Sequence, residues 1–189
     1  MASRRADNGR VKRWLALAAA LAAAPLGAQP NGILLVAKPD LVDPNFKETV
    51  LVVTRAEDAS TVGVILNRPT ARKHEQTGET LYFGGPVMRE VTVALFRAQR
   101  APQAASFHVL KDIYLTMHPA NIEPLLAQQA GNYRLYAGFA GWAPGQLQSE
   151  MQRGGWYVLP ASAELAFRKD TAGMWEEMVR KARGRVALR

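Results

Sequence analysis

A chain of 189 residues, 48% hydrophobic and 21% charged, has the size and composition of one globular domain with a real core rather than of two. The formal charge of +8 invites a nucleic-acid reading, but half of it lies in residues 1–28, where five basic side chains face Asp7 alone, so total charge indicates no polyanion partner. There is no cysteine, which excludes disulfides, thiol catalysis, thiolate metal sites and a lipid-anchor cysteine.

Residues 1–28 read as a signal peptide, with 29–189 as the single domain that follows. Lys12 and Arg13 end a basic stretch, and the uncharged "WLALAAALAAAPLGA" comes next. About 7–15 apolar residues make a signal core, whereas a membrane span needs about 20. Pro25, Gly27 and Ala28 supply a helix-breaking, small-residue end, and cleavage after Ala28 is expected, although Leu26 is bulky for its place. An uncleaved membrane anchor and a mis-assigned start codon are the alternatives. The predicted localisation is periplasmic or secreted, with cytoplasmic or anchored as the other readings.

From Ile33 the pattern is that of strands. "ILLVA" (33–37), "TVLVVTR" (49–55) and "TVGVILN" (61–67) are short and rich in β-branched residues, and the turn 56–60 makes a hairpin of the last two. Asn67-Arg68-Pro69 ends the third strand, and the polar residues 70–80 are expected as an exposed loop. "LYFGGPV" (81–87) brings a bend, and "VTVALFRA" (91–98) is a further strand. "SFHVL" and "DIYLT" flank a tight turn at Lys111-Asp112. A short helix should open at Pro119 and stop at Gly131. "NYRLYAGFAGW" alternates as a strand with one buried face. Pro144 is expected in the first turn of a helix that carries Leu147 and Met151 on one face and stops at Gly154. A last strand, "WYVLP", precedes a helical turn at 161–167. The final helix, about 171–183, carries Met174, Trp175, Met178, Val179 and Ala182 on one face and the pairs Glu176–Arg180 and Glu177–Lys181 on the other. The sum is an α+β domain with a mixed, mostly antiparallel sheet and a few short helices.

Catalytic templates find little to fit. There is no GxSxG elbow, and the strand-to-helix turn in the matching position, 140–145, carries Trp142, which cannot act as a nucleophile. His74, His108 and His118 are widely spaced and lack a zinc-motif partner. Asp40 and Asp43 are close enough to meet, yet read first as backbone-capping turn residues. Glu123, Glu150 and Glu164 read as solvated helix residues. Gly84-Gly85-Pro86 has no helix after it, so a structural bend is favoured over an anion loop. The basic end, Arg180, Lys181, Arg183, Arg185 and Arg189, is the best candidate for a polyanion contact.

The motifs "GILLVAKPDLVDPNFKETVLVV", "VGVILNRPT", "LYFGGPV", "IYLT" and "RLYAGFAGWAPGQLQSEM", followed by "WYVLPASAELAF", resemble the YqgE/AlgH family of bacterial proteins in content and order. The resemblance covers about residues 31–183. It implies a compact α+β domain and no settled biochemical activity. The family's label of transcriptional regulator comes with a link to alginate regulation, while no DNA-binding motif is present in this sequence. The residues that carry over, without an assigned role, are Asn67, Arg68 and Pro69; Gly84, Gly85 and Pro86; and Gly138, Gly141, Trp142, Pro144, Gly145 and Gln146. This sequence departs from the family in its apparent export signal and in Phe139-Ala140, where Tyr-Ala is usual.

The reading that results is a non-enzymatic binding or interaction module exported from the cytosol, without cofactor or metal, acting on a small ligand or protein partner. Nucleic acid is excluded as partner if export is real. The alternatives are a cytosolic transcriptional regulator and a hydrolase-type enzyme using Asp40, Asp43 or a histidine near Trp142.

Overall fold

The computed structural model describes residues 31–128 and 131–186; the expected signal peptide and Arg189 lie outside them. Ten strands make one sheet. β1 (Ile33–Ala37), β2 (Val50–Arg55) and β3 (Thr61–Ile65) are antiparallel neighbours, and β10 (Trp156–Pro160) flanks β1. β9 (Tyr133–Trp142) is the hub: its C-terminal end pairs β3, and its length pairs β6 (Val87–Arg97). β8 (Ile113–Thr116) and the edge strand β7 (Phe107–Leu110) complete the order β10-β1-β2-β3-β9-β6-β8-β7. β4 (Pro69–Lys73) forms a hairpin with β5 (Thr80–Phe83), and β5 runs parallel to β9, the one parallel pairing in the sheet described. The sheet curls until β7 meets the β1–β2 pair: Gly32 N–H donates to Val109 C=O at 2.8 Å, and the Thr54 hydroxyl donates to His108 C=O at 2.8 Å.

Burial explains why β1–β3 read as continuous apolar runs rather than alternating ones, since both faces are covered. Leu34, Val36, Val50, Val52 and Val64 face the largest cluster, under α4 (Met174–Val186). Leu35, Ala37, Leu51, Val53 and Ile65 face a second cluster, around Trp142 and Trp156. A third gathers Leu81, Phe96, Tyr114 and Tyr133 under α1 (Pro119–Leu126). The apolar face of α4 is the expected one: Met174, Met178, Val179 and Ala182 are buried, and Trp175 Nε1 donates to Ala37 C=O at 2.8 Å. The expected α+β domain with a mostly antiparallel sheet is thus the fold observed.

Several local expectations are corrected. Residues 70–80 are not simply a loop, because β4 and half of the β4–β5 hairpin fall there; with four of the five β4 residues exposed, no apolar periodicity marks it. β6 starts at Val87, four residues early, since its first turn is exposed and bulged, with Met88 in the left-handed region at φ 47°. α1 ends at Leu126, and Pro124 lies inside it. α2 (Gln146–Gln152) starts after Pro144, with left-handed Gly145 as its N-cap, so Pro144 belongs to the preceding turn. α3 is Ala163–Ala166, and α4 starts three residues later than expected. Glu177 pairs with Arg168 from the α3–α4 connection, at 2.5 Å.

Candidate functional site

The glycine-rich motifs serve close backbone approach. The bend 84–86 is wedged between two strands: Gly84 N–H donates to Ala137 C=O at 3.0 Å, and its own C=O accepts from Ile65 N–H at 3.0 Å. A Cβ at Gly84 would sit 2.1 Å from Gly138 C=O, and one at Gly85 2.3 Å from Phe139 C=O. With its amide already bonded, Gly84 has nothing to offer an anion, and the close approaches at Gly84 and Gly85 give both glycines a structural reason.

Asn67 and Arg68 hold a second piece of backbone, the loop between β1 and β2. The Asn67 amide accepts from Val50 N–H at 2.8 Å and donates to Glu48 C=O at 3.0 Å. The Arg68 guanidinium, over the Phe83 ring, donates to Asn45 C=O at 2.6 Å and Lys47 C=O at 2.7 Å. Burial lowers its pKa, while the nearby charges of Glu48 and Asp43 oppose that shift. Arg89, also over Phe83, donates to the Asn45 side chain at 3.1 Å. The strand hydrogen bonds of β2 thus continue into a clamped loop, and Pro69 opens β4 where no amide donor is needed.

That clamp delivers Phe46 to the end of β9. Its ring stacks on Trp142 at 5.7 Å and meets Trp156 edge-on at 5.6 Å; the two indoles meet edge-on at 6.3 Å. Both tryptophans are buried. A buried indole N–H requires an acceptor, and both use the same one: Trp142 Nε1 and Trp156 Nε1 reach Glu150 Oε2 at 3.0 and 3.1 Å. Gln146, one helical turn earlier, donates to Glu150 Oε1 at 3.2 Å and accepts from Ala143 N–H at 3.1 Å, closing the turn into α2. Trp142 is therefore a corner residue packed with Leu147, as the lack of a nucleophile predicts.

This corner is also a wall. A cleft of ≈ 640 Å³ lies against Phe46, Trp142 and Trp156, within the range of small-molecule sites. Gln146 and Glu150, at i and i+4 of α2, line it with Arg153, the C-cap of that helix, and Asp40 and Asp43 face it from the β1–β2 loop. Asp43 caps that loop, accepting from Asn45 N–H at 2.7 Å. Of the motif residues, Pro86, Gly141, Trp142 and Gln146 reach the cleft; Asn67, Arg68, Pro69, Gly84, Gly85, Gly138, Pro144 and Gly145 do not line it. Sequence reading missed Phe46, Glu150 and Trp156. The available signal was the i, i+4 pair Gln146–Glu150 in the helix that follows a tryptophan.

The histidines lie elsewhere. His74 is in the β4–β5 turn, near Thr77. His108 stacks on Tyr114 at 4.7 Å and shares a separate pocket with His118, whose Nδ1 accepts from Ala120 N–H to cap α1. Among the described residues no group of three or more His, Asp or Glu could hold a metal ion. Asp58, its pKa lowered by the Ser60 hydroxyl and amide, and Tyr136, pushed up to about 12 by burial, both lie outside the cleft.

A family model described as AlgH-like matches residues 34–187. A "UPF0301 protein" of Thermobifida fusca (strain YX) is 33% identical over 177 residues, covering 84% of this chain and 89% of that protein. Another, from Chlorobaculum tepidum, is 31% identical over 163 residues, with 81% and 87% covered. In three dimensions the chain superimposes on the solution structure of the AlgH protein from Pseudomonas aeruginosa with a TM-score of 0.65 at 21% identity, covering 78% of this chain and 86% of that one. A crystal structure of a Corynebacterium diphtheriae protein gives 0.64 at 24%, covering 81% and 86%. These likenesses concern the fold.

Proposed function

We propose a function from the premise that this chain belongs to the AlgH-like family: it is a non-catalytic binding module that seats its ligand in the cleft beside Phe46, Trp142 and Trp156. One observation carries this reading. Two indole N–H groups and the Gln146 amide fix the Glu150 carboxylate at the cleft wall, a preorganised polar group beside an aromatic cluster. What argues against catalysis is positive: the turn that would hold a nucleophile holds Trp142, and Asp43 is engaged in capping.

The test is a small-fragment titration followed through tryptophan emission. Gly155 lines the cleft, and a Cβ there meets Leu41 Cδ1 at 3.5 Å and Glu150 C=O at 3.6 Å, ordinary contacts, so Gly155→Ala narrows the cleft without a backbone clash. Binding should weaken at least about tenfold in this variant. Equal binding by the variant refutes the cleft as the site.

We read the protein further as exported, on the support of the basic-then-apolar order of residues 1–28. Intact mass and cell fractionation of the full-length chain test this: loss of about 28 residues with periplasmic recovery is expected, and an uncleaved cytosolic protein refutes it. One observation favours a second reading, a cytosolic regulator touching nucleic acid: Arg180, Lys181, Arg183 and Arg185 are all exposed on α4. Affinity for DNA or RNA that falls steeply with salt would support it, because phosphate contacts release counterions.

A further inference from the structure

We propose that the cleft receives an organic cation, an ammonium or guanidinium group on a short apolar stem, with the Glu150 carboxylate as its counter-charge; this rests on the binding reading above. A carboxylate offers about four acceptor positions. At Glu150 the two indoles occupy both on Oε2, and Gln146 takes one on Oε1, leaving one on Oε1. All three donors are neutral. They orient the carboxylate without cancelling its charge, and the ion pairs among the described residues, Lys47–Glu48, Arg97–Asp112 and Arg168–Glu177, do not involve it. A carboxylate fixed at a cleft wall by neutral donors keeps its charge and a free acceptor position for a cationic donor, and a charge-assisted bond there is stronger than a neutral one.

The surroundings select the same sign. Asp40 and Asp43 add two carboxylates to the lining, against Arg153 as its one basic side chain. The chain as a whole is basic, at +8, so the cleft reverses the sign of the molecule around it. The Phe46 ring adds an electron-rich aromatic surface, and such faces attract cations. Leu41 and Val42, the latter 88% exposed, form an apolar lip suited to a methylene stem. An anion would meet three carboxylates, and a neutral ligand would leave Glu150 uncompensated.

The same chemistry is offered by a free amine or guanidine and by a Lys or Arg side chain of a protein partner, and one experiment separates them. The full-length protein is titrated with butylammonium, butylguanidinium, butanol and butyrate, and with an end-blocked peptide containing one arginine. The readouts are the indole N–H resonances of Trp142 and Trp156 and the melting temperature. The cations should shift both resonances saturably, and butanol and butyrate should not. Glu150→Gln keeps an acceptor oxygen for the indoles and should weaken cation binding at least about tenfold. Asp40→Asn, on the exposed rim, should weaken it about two- to threefold, by an amount that shrinks with added salt. If Glu150→Gln does not fold, Asp40→Asn and the salt series decide. Tighter binding of the peptide than of butylguanidinium identifies a partner side chain, and the reverse identifies a free ligand; both support the inference. Cations that leave the resonances unmoved, or bind equally to the variants, overturn it. If butanol or butyrate binds while the cations do not, the cation inference falls and the cleft-binding reading stands. If no probe of any charge binds, both fall.

Discussion

Gly84 and Gly145 both belong to family motifs, yet a methyl group added to each meets different surroundings. At Gly84 it would strike the Gly138 carbonyl at 2.1 Å, backbone against backbone, where no rotamer change relieves the contact. At Gly145 it meets nothing within 4 Å, and only the left-handed φ of +79° opposes it. Gly84→Ala should therefore cost about 3 kcal/mol or more, and Gly145→Ala about 1 kcal/mol. Urea unfolding of both variants checks this, and equal losses would contradict the structure. Tyr136 makes a different residue-scale case. It is fully buried, its hydroxyl makes no hydrogen bond of good geometry among the described residues, and burial pushes its pKa up to about 12, with the charge and the donor groups of the neighbouring Arg134 opposing the shift. The phenol is thus held neutral in the fold but ionises near pH 10 when unfolded. Stability from this group is complete below pH 10 and falls as pH rises from there to about 12, by roughly 3 kcal/mol. Tyr136→Phe should remove that portion of the alkaline loss and cost little near neutrality, since it deletes an unsatisfied hydroxyl. Denaturant midpoints at pH 8 and 11 for both proteins measure the difference.

Among the elements, the β1–β2 connection is held by side chains rather than by a ladder. Asp43 C=O accepts from Phe46 N–H and Lys47 N–H at 3.0 and 2.7 Å, and Arg68 binds the carbonyls of Asn45 and Lys47 from across the fold. Charge-assisted bonds of this kind are stronger than neutral ones. Arg68→Ala should loosen the loop locally, lowering hydrogen-exchange protection at Phe46 and Lys47 by about ten- to a hundredfold while the core strands keep theirs. Uniform loss over all strands would mean that the arginine supports the whole fold instead. The same loop shows what could be read in advance. β1, β2, β3 and β9 were legible because burial leaves a compositional trace in each strand. β4 was not, because most of its residues are exposed, and pairing alone leaves no apolar pattern. The Trp142 turn was legible as a corner, since its residue types exclude a nucleophile. The role of Glu150 was not: its partners are eight residues before and six after it, and Phe46 comes from the distant β1–β2 connection. Helical spacing alone makes Glu150 a solvated residue.

At the scale of the molecule, two of the pairings that close the sheet join strands distant in sequence. β1 pairs β10, Ile33 opposite Pro160, and β3 meets β9, Thr61 opposite Trp142. The first strand of the domain is therefore incomplete until the last strand has been made. α4 closes the largest cluster with Met174, Met178, Val179 and Ala182 and fastens to β1 through Trp175. Ending the chain at Gly154 would remove β10 and α4 together, expose Leu34 and Val36, and leave the Glu150 carboxylate with one indole instead of two. Losing several fully buried side chains costs about 2–5 kcal/mol each, and total stability for a domain of this size is about 5–15 kcal/mol. That truncated chain should fail to fold, with a coil-like circular dichroism spectrum and rapid proteolysis. Removing residues 1–28 is expected to do the opposite and leave the melting temperature unchanged to within about 2 °C, as for a segment whose role is targeting. A large drop in melting temperature would make the N-terminal segment part of the folded domain, and residues 1–28 could then not be read as a cleaved signal.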